Sequence, residues 1–88
     1  MKIANLYNKI VGQNITKLRK YREIKAFIVA KHLGMSESNY TKYERGETAI
    51  TLDFLNRISD FFEVDMISLL ISTPENIIEF FSTKKINL

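Results

Sequence analysis

Apolar residues recur at intervals of three and four along almost the whole chain, and this spacing most limits how it can fold. Val11, Ile15 and Leu18 define one such face, and Leu55, Ile58 and Phe62 define another. No run alternates apolar and polar residues between turn signals, as a half-buried β-strand would. The sequence therefore predicts an all-α fold, a bundle of helices with short connections.

Glycines and capping residues mark the ends of the predicted helices. The first helix begins at Ile3 or at Lys9, and the second ends at Gly34, where glycine suits a left-handed C-terminal cap. Serine, threonine and aspartate are preferred immediately before a helix, and proline is favoured at its first position. The first helix is expected to end at about Tyr21. The remaining boundary signals, in chain order, are Ser36, Gly46, Thr51, Asp65 and the run Thr73-Pro74-Glu75.

Composition excludes several classes of function. The 88 residues allow one small domain and leave little room for an enclosed catalytic pocket. The chain has no cysteine and a single histidine, His32, so we expect no disulfide, metal site or cofactor. It lacks phosphate-binding glycine loops and nucleophile motifs, and we expect no enzyme. The absence of a long apolar run predicts no membrane span and no signal peptide, and thus a cytoplasmic protein.

Charge is divided unevenly along the chain. Residues 1–46 carry ten Lys or Arg and three acids, a net charge of +7, whereas residues 47–83 carry one Arg and seven acids, a net charge of −6. A basic half of this kind suits a polyanion such as double-stranded DNA. A solvated surface whose asymmetry arose by chance is the alternative that charge alone leaves open.

The second and third predicted helices have the spacing of a helix-turn-helix. A small residue, Ala30, allows the helices to cross closely, and Gly34 permits the positive φ of a tight turn. Tyr40 and Tyr43, three residues apart, are expected to face inward. The opposite face of the third helix is then polar and free of aromatic residues, as expected of a helix that enters the major groove.

Further motifs occur in order along residues 11–70: Gly12-x-x-Ile15-x-x-Leu18-Arg19, Ala30-x-x-Leu33-Gly34-Met35-Ser36, Tyr40-x-x-Tyr43-Glu44-Arg45-Gly46, Leu52-x-x-Leu55-x-x-Ile58 and Val64-Asp65-x-x-x-Leu69-Leu70. Together they resemble the lambda-repressor and Cro type of helix-turn-helix domain. The resemblance implies a five-helix lambda-repressor-like bundle, to which this chain adds a short C-terminal helix. We expect a domain at 11–71, an N-terminal extension of the first helix at 1–10 and a tail at 72–88.

The resemblance also implies roles for individual residues. Arg19 and Glu44 match the family's internal ion pair, and Arg45 matches a contact to the DNA backbone. The positions expected to read bases are Glu37, Ser38, Asn39, Thr41 and Lys42. Glu37 is equally well explained as an acid that interacts with the helix dipole.

We expect further phosphate contacts from Lys17, Lys20, Lys25 and Lys31. The chain also departs from the family pattern. Lys25 and Ala26 stand where a polar cap and a glutamine are common, and the loop 47–50 is acidic where a basic loop is usual. These departures predict weaker contacts to the phosphate backbone of DNA.

Apolar residues near both ends of the chain exceed what five helices need, and either end could contribute to a dimer. Those near the N-terminus are Ile3, Leu6, Tyr7 and Ile10. We expect Ile77, Ile78, Phe80 and Phe81 to form a dimer interface, although packing on their own domain is an equal alternative. Pairing two domains would place them about one DNA turn apart, ~34 Å.

The sequence therefore predicts a sequence-specific regulator of transcription, a repressor that binds a palindromic operator as a homodimer. The alternative is a protein-binding module, such as an antitoxin or a transcription bridging factor. In that case the acidic fourth helix and the aromatic tail would dock a protein partner.

Overall fold

The computed structural model describes residues 3–79 and has the all-α fold predicted from the sequence. A further helical turn at residues 77–79 follows the last of its five helices. The helices are α1 (Ile3–Tyr21), α2 (Ala26–Leu33), α3 (Glu37–Glu44), α4 (Leu52–Phe62) and α5 (Met66–Ile71). The lambda-repressor-like bundle is thereby confirmed, and α1 begins at the earlier of the two predicted starts.

One apolar core holds the helices together. Every helix contributes buried side chains to it, and α1 contributes the face predicted from its spacing. The buried apolar residues are Val11, Ile15, Leu18, Val29, Ala30, Leu33, Tyr40, Phe54, Leu55, Ile58, Phe62, Leu69 and Ile77.

Four helices, α1 to α4, end in the same way. In each, a residue with positive φ follows the helix, and two backbone amides beyond the last turn donate back to its carbonyls. This is the Schellman motif, which provides partners for carbonyls that the helix leaves free. The positive-φ residues are Glu23, Gly34, Gly46 and Glu63.

The predicted N-terminal caps are only partly realised. Ser36 accepts a hydrogen bond from the Asn39 amide, and Thr51 accepts one from the Phe54 amide, each at 3.1 Å. Asp65 precedes α5 as expected, but its side chain makes no capping hydrogen bond. At Thr73 the chain forms a turn, and the helical residues start at Ile77, three residues later than the proline signal implied.

The position of Ile77 corrects one expectation. Its side chain is 2% exposed and belongs to the core of its own domain, so it is not available to a second copy. Ile78 is partly buried against the same core. The other two residues expected at an interface, Phe80 and Phe81, lie outside the described residues. Packing on the domain itself, the alternative left open by the sequence, therefore holds for Ile77.

Candidate nucleic-acid interface

The turn between α2 and α3 has the geometry that the sequence predicted. Gly34 has φ 73° and ψ 31°, in the left-handed region. A Cβ at this position would meet no atom within 4 Å, so backbone conformation alone favours glycine here. Ala30 is buried where the two helices pack, and Ser36 caps α3. Gly34 therefore ends α2 and Ser36 begins α3 at the positions predicted from the sequence.

The register of α3 is set by the residues it buries. Tyr40 is completely buried, and the Tyr43 ring stacks on Phe54 with centroids 3.8 Å apart and planes within 5°. At 3.6 residues per turn, the side of α3 opposite these rings carries Ser38, Lys42 and Arg45. All three are exposed. We call these three residues the outer face of α3.

The other residues predicted to read bases flank this outer face. Asn39 is exposed on one side, where it lines a small cavity with Met35 and Thr48. On the other side Thr41 is half-buried, and its hydroxyl donates to the Ser38 carbonyl at 3.2 Å. Glu37 is exposed in the first turn of α3. Asn39 and Glu37 are thus open to a partner, whereas the Thr41 hydroxyl already bonds to its own helix.

A buried polar network fastens α3 to α1. Arg19 Nε lies 2.6 Å from Glu44 Oε2, Arg19 Nη2 donates to Glu44 Oε1 at 3.1 Å, and the Tyr40 hydroxyl donates to Glu44 Oε2 at 2.5 Å. Arg19 Nη1 donates to the Ile24 carbonyl between α1 and α2 at 2.9 Å. The structure thereby brings together the two residues that the family resemblance pairs.

Two residues of this network, Arg19 and Tyr40, have raised pKa values. The hydrogen bond from Arg19 to Glu44 raises the pKa of Arg19, while burial of the guanidinium acts in the opposite direction. Burial first, and the hydrogen bond to Glu44 second, raise the pKa of Tyr40 far above 10.0. A buried ion pair such as Arg19–Glu44 contributes little net stability, because desolvation offsets much of its attraction, and it mainly fixes how the two helices are aligned. Its consequence here is a fixed orientation of α3 relative to α1.

Two residues of α1 that were not singled out from the sequence also position the site. Asn14 is completely buried, and its Nδ2 donates to the Leu69 carbonyl at 3.0 Å and to the Ser72 carbonyl at 2.8 Å. The Asn8 Oδ1 accepts from the Ile50 amide, in the loop after α3, at 3.1 Å. A polar residue among apolar ones on one helix face was the available signal for Asn14.

The cations predicted to contact phosphate are all exposed but do not form one cluster. Lys17 and Arg45 both line an open groove of about 590 Å³ between α1, the end of α3 and residues 74–75. Lys9, which sequence reasoning missed, lines the same groove. Lys25 precedes the N-terminus of α2. The remaining two, outside this groove, are Lys20 near the end of α1 and Lys31 in the last turn of α2.

Arg45 already has an anionic partner within the chain. Its Nε and Nη2 donate to the two Glu47 carboxylate oxygens at 2.9 and 3.2 Å, and both side chains are 54% exposed. This pairing raises the pKa of Arg45 and lowers the pKa of Glu47. Lys42 adds a smaller attraction that also lowers the pKa of Glu47. The acidic loop noted in the sequence thus contacts the outer face directly.

Within residues 3–79, no group of three or more His, Cys, Asp or Glu is arranged to hold a metal ion. In the same part of the chain, no helix is both long and apolar enough to cross a membrane. His32 is exposed on α2 and contacts the edge of Phe61, with ring centroids 4.9 Å apart.

Comparison with known proteins assigns the family. A helix-turn-helix family model matches residues 18–69, which span the end of α1 and all of α2 to α5. The chain belongs to the helix-turn-helix family. This helix-turn-helix protein is a DNA-binding regulator of transcription, and its family is non-enzymatic.

A solved structure, the DNA-binding domain of BldD, has the same fold. The TM-score is 0.68 at 24% sequence identity, and the match covers 77% of this helix-turn-helix chain and 99% of that chain. A search of the curated proteins finds no match.

Proposed function

We propose that this chain is a repressor that binds a palindromic operator as a homodimer, with α3 in the major groove. The observation that carries the proposal is the orientation of α3. Its outer face, Ser38, Lys42 and Arg45, is open to solvent, whereas its inner face is fixed by the buried Tyr40 and Glu44. A helix held in this way can present polar side chains to base edges without prior rearrangement.

The side chains on and beside the outer face have the chemistry needed to read bases. Lys42 can donate to guanine O6 and N7, and Asn39 can pair with adenine. Ser38 can serve as donor or acceptor. Glu37 can accept from cytosine N4 or act only on the helix dipole. Thr41 can read a base only by giving up its bond to the Ser38 carbonyl.

Phosphate contacts supply the part of the affinity that does not depend on sequence. Arg45 belongs to the outer face, and Lys17 and Lys9 extend the positive charge of that face along α1. Lys25 adds a charge where the N-terminus of α2 favours an anion. Lys20 and Lys31 are the weaker candidates, because they lie outside the groove.

Repression follows from occupancy of an operator that overlaps the site of polymerase binding, in the cytoplasm where the chromosome lies. One domain of this size contacts a single half-site, so a palindromic operator requires two copies. Ile78, Phe80 and Phe81 remain our candidates for the contact between copies, now without Ile77.

The reading role of α3 is tested by comparing Lys42→Ala with Arg45→Ala on an operator selected from a pool of random duplexes. Lys42→Ala should cost about 1–3 kcal/mol on the operator and relax one base position. Arg45→Ala should weaken operator and random duplex by the same factor. Identical behaviour of the two variants on both duplexes would show that the outer face is wrongly assigned.

The dimer is tested by sedimentation equilibrium of a Phe80→Ser/Phe81→Ser double variant. We expect it to be a monomer at concentrations where the unmodified chain is a dimer. Phe27→Ser is the matched control, because Phe27 is 49% exposed on α2 and should leave the dimer intact. An unchanged dimer in the double variant would reject the role of the tail.

A salt series on random duplex DNA separates the proposal from a purely protein-binding module. DNA binding weakens steeply as salt increases because counterions are released from phosphates. A protein-binding module would give no appreciable binding even at low salt.

A further inference from the structure

Within residues 3–79, the four Schellman motifs differ in the residue that follows the positive-φ residue, which is apolar in three of them and charged in the fourth. The residue that follows the positive-φ residue commonly packs against the helix that it ends. Ile24, Met35 and Val64 occupy this position after α1, α2 and α4, and all three pack against the core. After α3 the position holds Glu47, a charged residue with an exposed side chain.

The motif fixes where the Glu47 carboxylate lies. The Glu47 amide donates to the Lys42 carbonyl at 2.9 Å, and the preceding Gly46 amide donates to the Tyr43 carbonyl at 3.0 Å. These bonds turn the chain back over the last turn of α3. The carboxylate therefore lies beside two of the three outer-face residues and bonds to Arg45 through both of its oxygens.

The ion pair itself explains little about stability. Pairs between exposed side chains contribute almost nothing measurable in many proteins, because water screens them and their ordering costs entropy. An apolar residue at this position would follow the pattern of the other three motifs. A local rule broken without a structural gain indicates a functional site.

We propose that Glu47 is a built-in competitor of DNA phosphate for Arg45, which limits the sequence-independent affinity of this domain. This inference rests on the proposed DNA-binding role of the outer face. In the free protein the carboxylate holds the guanidinium, and on DNA a phosphate oxygen takes over the same two donors. Any duplex must displace Glu47 first, so the effect is the same for the operator and for random DNA.

The proposal makes a quantitative prediction about salt. Each phosphate neutralised adds about 0.9 to the slope of log affinity against log salt. In the unmodified chain the displaced Glu47 carboxylate takes up a cation, which offsets the ion that Arg45 releases from the phosphate. Glu47→Gln removes this uptake of up to one ion, so it should bind DNA more tightly and with a steeper slope. Its advantage over the unmodified chain should shrink about threefold between about 50 and about 200 mM salt.

The experiment measures the affinity of four proteins for a random duplex and for a selected duplex across that salt range. They are the unmodified chain, Glu47→Gln, Glu47→Met and Asp60→Asn. Asp60→Asn is the matched control, because it makes the same change of charge at an exposed position on α4. We expect both Glu47 variants to steepen the slope equally on the two duplexes and the control to leave it unchanged.

A double variant, Arg45→Ala/Glu47→Gln, shows whether the effect passes through Arg45. In the Arg45→Ala background, Glu47→Gln should give no gain, because the group that it frees is missing. A gain that persists there, or an unchanged slope in Glu47→Gln alone, overturns the inference but leaves DNA binding intact. Absence of binding to any duplex at low salt overturns the proposed function together with the inference.

Discussion

Replacing Gly12 by alanine tests the close approach between α1 and α3. A Cβ at Gly12 would lie 2.5 Å from the Tyr43 carbonyl oxygen and 2.6 Å from that of Glu44. An ordinary contact begins near 3.4 Å, so α1 and α3 must separate by most of an ångström. Both obstacles are backbone atoms and cannot rotate away.

The magnitude follows from two opposing effects. Overpacking costs about 1–3 kcal/mol, and the upper part of that range, about 2–3 kcal/mol, applies here because neither backbone obstacle can move aside. The better helix propensity of alanine offsets about 1 kcal/mol. We therefore expect Gly12→Ala to lower the free energy of unfolding by about 1–2 kcal/mol. The same separation lengthens the bond between Arg19 and Glu44, so DNA binding should also weaken.

Urea unfolding followed by circular dichroism measures the first effect. Gln13→Ala is the matched control, because Gln13 is the exposed neighbour on the same helix and its loss should change stability by less than about 0.5 kcal/mol. A Gly12→Ala protein as stable as the unmodified chain, or more stable, would refute the close crossing of α1 and α3.

Three further predictions concern Asn14, Tyr40 and the glycines at positive φ. Asn14→Leu should lower the free energy of unfolding by about 2–4 kcal/mol, measured in urea, because two buried carbonyls lose their donor. Because burial and Glu44 raise the pKa of Tyr40, the phenol stays protonated in the folded chain at pH values where it ionises in the unfolded one. Stability should therefore fall as pH increases above about 10, by about 1.4 kcal/mol per unit, and Tyr40→Phe should lack this component in alkaline unfolding curves. Gly46→Ala should lower the melting temperature more than Gly34→Ala, because both require an unfavourable positive φ but only at Gly46 would the Cβ meet backbone, the Lys9 Cα at 2.7 Å.

The parts of the fold that sequence predicted best are those set by local chemistry. Gly34 and Ser36 locate the turn because positive φ and amide capping are properties of single residues. Helical spacing also predicts that the Tyr40 side chain faces the core and the Ser38 side chain faces solvent, because the two residues lie on opposite sides of α3.

The parts that sequence did not predict depend on partners far along the chain. Glu23 after α1 and Glu63 after α4 have positive φ although neither is glycine, so no glycine in the sequence marks these two Schellman motifs. Asn14 is buried because carbonyls more than fifty residues away accept from it. The place of Ile77 in the core likewise depends on contacts with distant residues that spacing alone does not give.

Arg19 bonds both to α3, through Glu44, and to the connection between α1 and α2, through the Ile24 carbonyl. The Arg19 guanidinium thus attaches both α3 and the segment that leads into α2 to the end of α1. Apart from the Arg45–Glu47 pair, which a duplex must open, the helices that carry this surface are in position before any duplex arrives, and binding need not order them. Preorganisation of this kind keeps the entropic penalty of association low and leaves the match of side chains to bases to decide which duplex is retained.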